Sequence, residues 1–441
     1  MLAKTKSTMT PELLERLREQ VKSNPHSATE VIDQLKAPDA AELLNELPLE
    51  DAVITMMMLP IEEAVAVFNE PSCERRPKIM ESLEVERTAA IIGQMSSDER
   101  SDLVRSIDPD YREKLLPLLS DKIKDEIGLL LQFPPTTAGG IMSTEFLRLS
   151  PDSSVSEALN HVKATARNRA HIYSAYVLDD DDHLLGAVSL RDLVVASPAK
   201  PVGAVMRKYP IYAHCLDDQE KVARLLAKYN LLAVPVVDDS RRVLGFVTVD
   251  DALDVLMVEH KEDVEKLGGM EAFGGQYFLT TFWEMIRKRA TWLIVLFLGE
   301  LLTSNALQHY EDRFAKLPLL VLFIPLILSS GGNSGSQSAT LTVRGLAVGE
   351  FGPEDWVRLL WREVRIGIVL GLVLGFIGFV RTQLWNTSFA VSVVVAITLV
   401  VVVVCGSLFG AALPLLLRRL GFDPAVSSTP FIASLVDVAG I

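Results

Sequence analysis

The sequence predicts a multidomain chain: an all-α superhelical N-terminal domain, a duplicated α/β pair, and an α-helical transmembrane domain with five spans. Three observations carry that reading. Apolar landmarks recur about every 12 residues between 35 and 119. A mixed helix-and-strand pattern occurs twice between residues 138 and 258, and five apolar segments lie in the C-terminal part. Charge divides along the same line: residues 1–286 hold 48 acidic against 31 basic side chains, and residues 287–441 hold 9 against 12. An acidic part ahead of a weakly basic apolar part speaks against nucleic acid and for cations. Cys73, Cys215 and Cys405 lack metal or redox spacing and read as small core residues of a reducing compartment. The N-terminus has no apolar signal core, so nothing directs the acidic part outward. Expected boundaries are 1–136 for the acidic helical domain, 137–248 for the pair, 249–289 for an acidic connector and 290–441 for the membrane domain.

Within the first domain, Thr10-Pro11-Glu12 reads as a helix start, with a capping hydroxyl, proline in the first turn and an acid facing the helix dipole. The landmarks are Leu35, Leu47, Leu59, Leu83, Met95, Ile107 and Leu119, with Pro71 breaking the series. One short helix and a turn fill such a period, and no such helix can bury its apolar face alone, so neighbours must stack into a curved array. Asp98 and Asp102 stand one turn apart; they could share a divalent cation or be solvated surface.

The duplicated unit shows Ile141-Met142, a capped helix from Asp152, and strands 174–178 and 185–189; its second copy shows Val205-Met206, a helix from Asp217-Asp218, and strands 233–237 and 244–249. The order resembles a pair of cystathionine-β-synthase-type (CBS) domains. That resemblance implies a pseudo-twofold βαββα pair with a cleft for an adenosine nucleotide such as ATP. Ser189-Leu190-Arg191-Asp192 and Thr248-Val249-Asp250-Asp251 match its S/T-x-x-D element, with Arg191 and Asp192 as nucleotide contacts. Two capped helices would explain the same residues. No nucleophile–base pair appears, and the chain is not expected to be an enzyme.

The connector clusters Asp251, Asp254, Glu259, Glu262 and Asp263 on one helix leading to the membrane part. Like charges at helical spacing repel unless neutralised, so a bridging divalent cation or an ordinary solvated linker are the two readings. Gly268-Gly269 and Gly274-Gly275 supply joints. The apolar segments fall at 291–308, 317–342, 366–380, 389–417 and 425–441. Arg287-Lys288-Arg289, the Arg344 to Arg365 loop and Arg418-Arg419 share one side if the spans alternate, which places the acidic domains in the cytoplasm of a plasma-membrane protein. The chain stops four residues after Asp437, so the last span is read as truncated, with about ten further apolar residues expected.

In the second segment an apolar helix is expected to break at Gly331-Gly332-Asn333-Ser334-Gly335-Ser336-Gln337, either as an ion pathway or as a small-residue packing seam. Two acids lie at membrane depth, where burying charge is costly: Glu300 and Asp437. Copies of Asp437 around an axial pore would form a carboxylate ring, a device for selecting divalent ions, whereas Glu300 fits a helix-to-helix hydrogen bond or an ion route equally.

Domain order, the glycine-rich stretch, and Gly421-Phe422-Asp423-Pro424-Ala425 followed by Asp437 resemble the MgtE family of magnesium channels over nearly the whole chain. The resemblance implies a homodimer in the lipid bilayer whose pore is lined by the second and fifth spans. Asp437, Asn333, Gly331, Gly332, Ala433 and Thr429 then belong to the ion path. It further implies closure by cytosolic Mg²⁺ at Asp98, Asp102, Asp218, Glu220, Asp251, Asp254, Glu259, Glu262 and Asp423, tuned in some members by ATP. Three positions depart from the pattern: Ser336 stands where asparagine is frequent, Thr429 where some members carry a pore-side asparagine, and Asn230 where some members carry an acid. The competing readings are a transporter of another divalent cation such as Co²⁺ and a membrane-anchored nucleotide sensor without transport.

Overall fold

The computed structural model describes residues 35–441 apart from 166–173, 274–276, 278–279 and 317. The helix start at Thr10-Pro11-Glu12 and the joint at Gly274-Gly275 lie outside the described residues. The chain forms two units that divide between Leu256 and Met257.

In the first unit, short helices follow one another from Ala37–Glu46 to Asp121–Leu130. The 12-residue landmarks explain why. Leu47, Leu59, Leu83 and Ile107 each end a helix by turning to extended backbone, and each plugs the core. The next helix then starts within two residues, on an acid-rich first turn in most cases. Helices pack on the next but one along the chain, the signature of a superhelix rather than a bundle. At the interruption by Pro71 the buried Cys73 fills the missing position, and Asn45 Nδ2 donates to the Ser72 carbonyl at 2.6 Å.

The duplicated region forms two sheets of matching design. In one, β1 (Leu147–Leu149) lies parallel to β2 (Ser174–Leu178), which pairs antiparallel with β3 (Leu184–Ser189), followed by β4 (Arg207–Lys208). In the other, β5 (Ala213–His214) lies parallel to β6 (Ala233–Val237), antiparallel to β7 (Val243–Thr248). A register shift recurs at the same place, Val177/Leu178 and Val236/Val237. The two halves are also interlocked. A side chain on Gly186 would collide with Met206 from the second half, and one on Gly245 with Met142 from the first. Each methionine of the repeated motif therefore reaches over the glycine in the other half's strand.

The second unit is helical. Four stretches among the described residues are long and apolar enough to cross a bilayer: Phe282–His309, Pro318–Ala347, Pro353–Leu384 and Phe389–Arg419. The fifth apolar segment is a 12-residue helix, Thr429–Gly440, about 18 Å long. The expected five spans are thus four long helices and one short one.

The expected break in the second span is not there. Ile324–Ala347 is one uninterrupted α-helix through the whole glycine-rich stretch. Lipid offers no partners to open backbone, so the helix keeps its own hydrogen bonds. Its glycines instead allow close packing: a methyl on Gly406 would overlap the carbonyl of Gly331, and one on Gly410 that of Gly335. Two small-residue rows thus bring helices Ile324–Ala347 and Phe389–Arg419 into backbone contact.

Candidate functional site

The helix Ile324–Ala347 has two faces. Gly331, Gly332, Gly335, Ser338 and Ala339 are buried, with Gly331 against Val402 and Val436 and Gly332 against Ala433. The two glycines assigned to the ion path therefore form the packing seam. The other face carries Ser329, Asn333, Gln337, Thr340 and Arg344, all exposed and spaced three or four residues apart. Polar side chains in that register share one stripe along the helix. A polar stripe at membrane depth is unstable against lipid and calls for water or another protein surface.

The short helix Thr429–Gly440 packs on the same element. Ser428 caps it, accepting from Phe431 N at 3.4 Å, and Pro430 sits in its first turn. Ser336 Oγ donates to the Thr429 carbonyl at 3.5 Å, and Ala433 faces Gly332. Thr429, Ala433 and Asp437 are half-buried and four residues apart, so they share one edge of this helix beside the second span. The structure thus brings Asn333, Thr429, Ala433 and Asp437 onto adjoining helices.

Glu363 was not legible as a site residue, because hydropathy began the third span at 366, whereas the helix runs Trp356–Leu384. It is 8% exposed and accepts from Ser338 Oγ at 2.8 Å; Ser338 Oγ also lies 2.9 Å from the Ser407 carbonyl, and Ser407 Oγ is 2.8 Å from Ser334 Oγ. Extending the helical period three residues N-terminal to the apolar core would have found it.

A second constellation lies in the first unit. Asp98 and Glu99 open helix Ser97–Ser106 and Asp251 opens helix Val249–Leu267, so first-turn acids of two helices act on one another electrostatically. Burial, reinforced by Glu99, pushes the Asp98 carboxyl above its ordinary range, and burial together with Asp98 does the same to Asp251. Glu99 is pushed up to about 7 by burial, against the pull of its ion pair with Arg76. Asp102, whose side chain stays about half exposed, is raised by partial burial, opposed by Arg105 at 3.8 Å and by Arg76, and the likewise exposed Asp254 by partial burial and then Asp250. Thr248 N donates to Asp251 Oδ2 at 3.2 Å while Asp251 N donates back to Thr248 Oγ1, a reciprocal cap. Asp98 Oδ1 is covered and has no hydrogen-bond partner among the described residues.

Other expected ligands have different partners. Asp218 caps helix Gln219–Tyr229 through Glu220 N at 2.9 Å, and Glu220 pairs with Arg224. Asn230 is the left-handed C-cap of the same helix, φ 51°, a helix stop. Glu259 is half-buried. Glu262 and Asp423 are joined by Lys266, whose Nζ lies 2.6 Å from Glu262 Oε1 and 2.6 Å from Asp423 Oδ2. Burial would lower the Lys266 ammonium, but hydrogen bonds to Asp423 and Glu262 outweigh it and hold it above the usual lysine value. Among the described residues no group of three or more His, Cys, Asp or Glu is already gathered as a metal site.

In the CBS-like pair, Ser189 Oγ accepts from Asp192 N at 3.1 Å, so the S/T-x-x-D element is a helix cap. Arg191 is exposed at the same helix start. Asp192 Oδ2 is nevertheless covered and without a hydrogen bond among the described residues, with Arg207 Nη2 at 3.7 Å.

Comparison with known proteins finds matches in three parts of the chain. A family model described as MgtE, divalent cation transporter, matches residues 324–441; the MgtE intracellular N domain matches 35–136; the CBS domain matches 138–199 and 202–258. The magnesium transporter MgtE of Thermus thermophilus is 38% identical over 331 residues, covering 75% of this chain and 73% of that protein. The chain belongs to the MgtE family of magnesium transporters. The MgtE of Enterococcus faecalis is 34% identical over 316 residues, 72% of this chain and 69% of that one. Among solved structures, the cytosolic domain of the Mg²⁺ channel MgtE in complex with ATP is 32% identical with a TM-score of 0.52, covering 55% of this chain and 99% of that chain. This MgtE chain is accordingly a multi-pass membrane protein of a transporter family, not of an enzyme family.

Proposed function

We propose that this chain conducts Mg²⁺ across the plasma membrane as a homodimer, along a path between the polar stripe of the second span and the edge that carries Asp437. The observation that carries the reading is the row Ser329, Asn333, Gln337, Thr340 and Arg344, exposed alongside Leu326 and Leu341 on a helix whose opposite face is buried in apolar and small-residue contacts. A second copy across that row would shield it from lipid and leave a wet lumen between amide and hydroxyl groups. Mg²⁺ dehydrates reluctantly, so a hydrated ion needs a charge nearby rather than a cage, and Asp437 supplies it.

Closure by cytosolic Mg²⁺ is proposed at Asp98, Asp102, Asp251 and Asp254. Once deprotonated, these carboxylates repel across the junction of two helix starts, and a divalent cation would supply the opposing charge. The donor set fits: all ligands are oxygens, Asp98 Oδ1 is buried without a partner, and an ion that keeps several waters needs few carboxylates. Loss of the cation leaves the repulsion and biases the equilibrium toward the open state. ATP is proposed at Arg191 and Asp192, where Asp192 Oδ2, beside Arg207 and without a hydrogen bond among the described residues, can accept from a ribose hydroxyl. These domains lie in the cytoplasm on this reading, as in the relative whose cytosolic domain was solved with ATP.

Mg²⁺ uptake into liposomes tests the path. Wild-type chain should take up Mg²⁺ and slow when Mg²⁺ is present at the cytoplasmic face. Asp437→Ala should abolish uptake; normal flux in that variant would sink the assignment.

A further inference from the structure

The first span holds an acid that the path above does not use. Glu300 sits in helix Phe282–His309, whose other large side chains at this depth, among them Phe297, Leu298, Leu301 and Leu302, are exposed apolar groups suited to lipid. Glu300 Oε1 accepts from Ser434 Oγ at 2.9 Å, a contact between residues 134 apart in sequence. Ser434 lies one turn before Asp437 on helix Thr429–Gly440 and is 8% exposed. The two helices touch here: a methyl on Gly299 would meet Ser434 Cβ at 3.6 Å. Thr303, one turn after Glu300, is the helix's one buried residue, and its hydroxyl has no partner among the described residues. The polar edge of the first span is therefore turned onto the helix that carries Asp437, one turn from that residue.

One neutral hydroxyl is poor compensation for a carboxylate at membrane depth. Such a group requires a cation or water close by. We propose that Glu300 is a second carboxylate of the ion path, positioned by Ser434 beside Asp437, and that it sets the preference for divalent over monovalent cations. The inference rests on the reading of Asp437 as a pathway residue. Its physical basis is that a fixed negative charge attracts a divalent ion twice as strongly as a monovalent one, so a second carboxylate steepens discrimination as well as binding.

The test uses the full chain in liposomes, with Mg²⁺ uptake and K⁺ leak read in parallel. Glu300→Gln keeps an oxygen that can accept from Ser434 and removes the charge. Its half-saturating Mg²⁺ should rise roughly tenfold and its Mg²⁺-to-K⁺ ratio fall by a similar factor. Ser434→Ala should move both readouts the same way by less, and Glu300→Asp should restore most of the ratio. If Glu300→Gln matches wild type in both readouts while Asp437→Asn has lost flux, the path stands and Glu300 is a packing contact only. If Asp437→Asn conducts normally, the path reading itself falls and this inference with it. Should Glu300→Gln fail to fold, Glu300→Asp decides: a ratio well below that of wild type overturns the proposal.

Discussion

Lys266 Nζ donates to Asp423 Oδ2 at 2.6 Å, across 157 residues of sequence, while also holding Glu262 one turn away on its own helix. A tethered ammonium thus occupies two carboxylates that the family resemblance assigns to a divalent ion. The groups are each about a quarter to a third exposed, so the pair is worth about 1 kcal/mol or less. Any cation bound by Glu262 and Asp423 must first displace it. Lys266→Met should therefore lower the cytosolic Mg²⁺ concentration needed for half-closure by several-fold, read as flux against internal Mg²⁺, with little change in thermal stability. An unchanged closing concentration would show that these two acids take no part in the gate.

The cluster of Asp98, Glu99 and Asp251 makes stability depend on pH in a stated direction. Burial, first among the causes, raises all three carboxyls, Glu99 to about 7. A raised carboxyl means the folded chain binds more protons than the unfolded one between the ordinary value near 4 and the folded value. Stability from these groups is therefore full below pH 4 and lost as pH rises toward and through 7. With a chelator present, the unfolding temperature should fall on the order of 5 °C between pH 5 and pH 7.5. Added Mg²⁺ at pH 7.5 should recover it, and should fail to do so in Asp98→Asn with Asp251→Asn. A flat profile in chelator would count against the cluster as a cation-dependent joint.

At the glycine seam, Gly410 faces the Gly335 carbonyl with no room for a methyl. Gly410→Val must push two membrane helices apart. The expected loss is about 3 kcal/mol, seen as a lower unfolding temperature in detergent and loss of Mg²⁺ uptake. Gly128→Ala, at an exposed helix position where an added Cβ meets nothing, is the control and should not destabilise.

In the CBS pair, Asp192→Ala should abolish ATP binding measured by calorimetry while leaving the helix cap intact, because the cap uses Ser189 Oγ and the backbone N of residue 192. Arg191→Ala should weaken ATP about tenfold, the scale of one charge-assisted hydrogen bond. ATP binding unchanged in Asp192→Ala would move the nucleotide elsewhere or exclude it.

Much of this was legible in the chain. The 12-residue period named residues that prove to be buried helix ends, since an apolar side chain at each exit is what a stack of short helices requires. The duplicated motif foretold the duplicated sheets, but not that Met142 and Met206 each reach over a glycine of the other half. Asp98 and Asp251 could be singled out as acids at helix starts, but not as neighbours, because 153 residues separate them and only packing closes that gap. Lys266, Glu99 and Glu363 escaped for the same reason: in sequence each is an ordinary charged residue, and its meaning lies in a partner on another element.

Composition and periodicity alone determined that this chain has an acidic helical array, a tandem pair and an apolar C-terminal part, because local pattern dictates which surfaces must be buried. Tertiary structure decided which residues meet. It kept Ile324–Ala347 helical through Gly331, Gly332 and Gly335 and turned them into a seam, leaving Asn333 and Gln337 exposed on the far face. It also set Glu300 on Ser434, one turn from Asp437. Such contacts follow from backbone packing at distances no sequence spacing encodes.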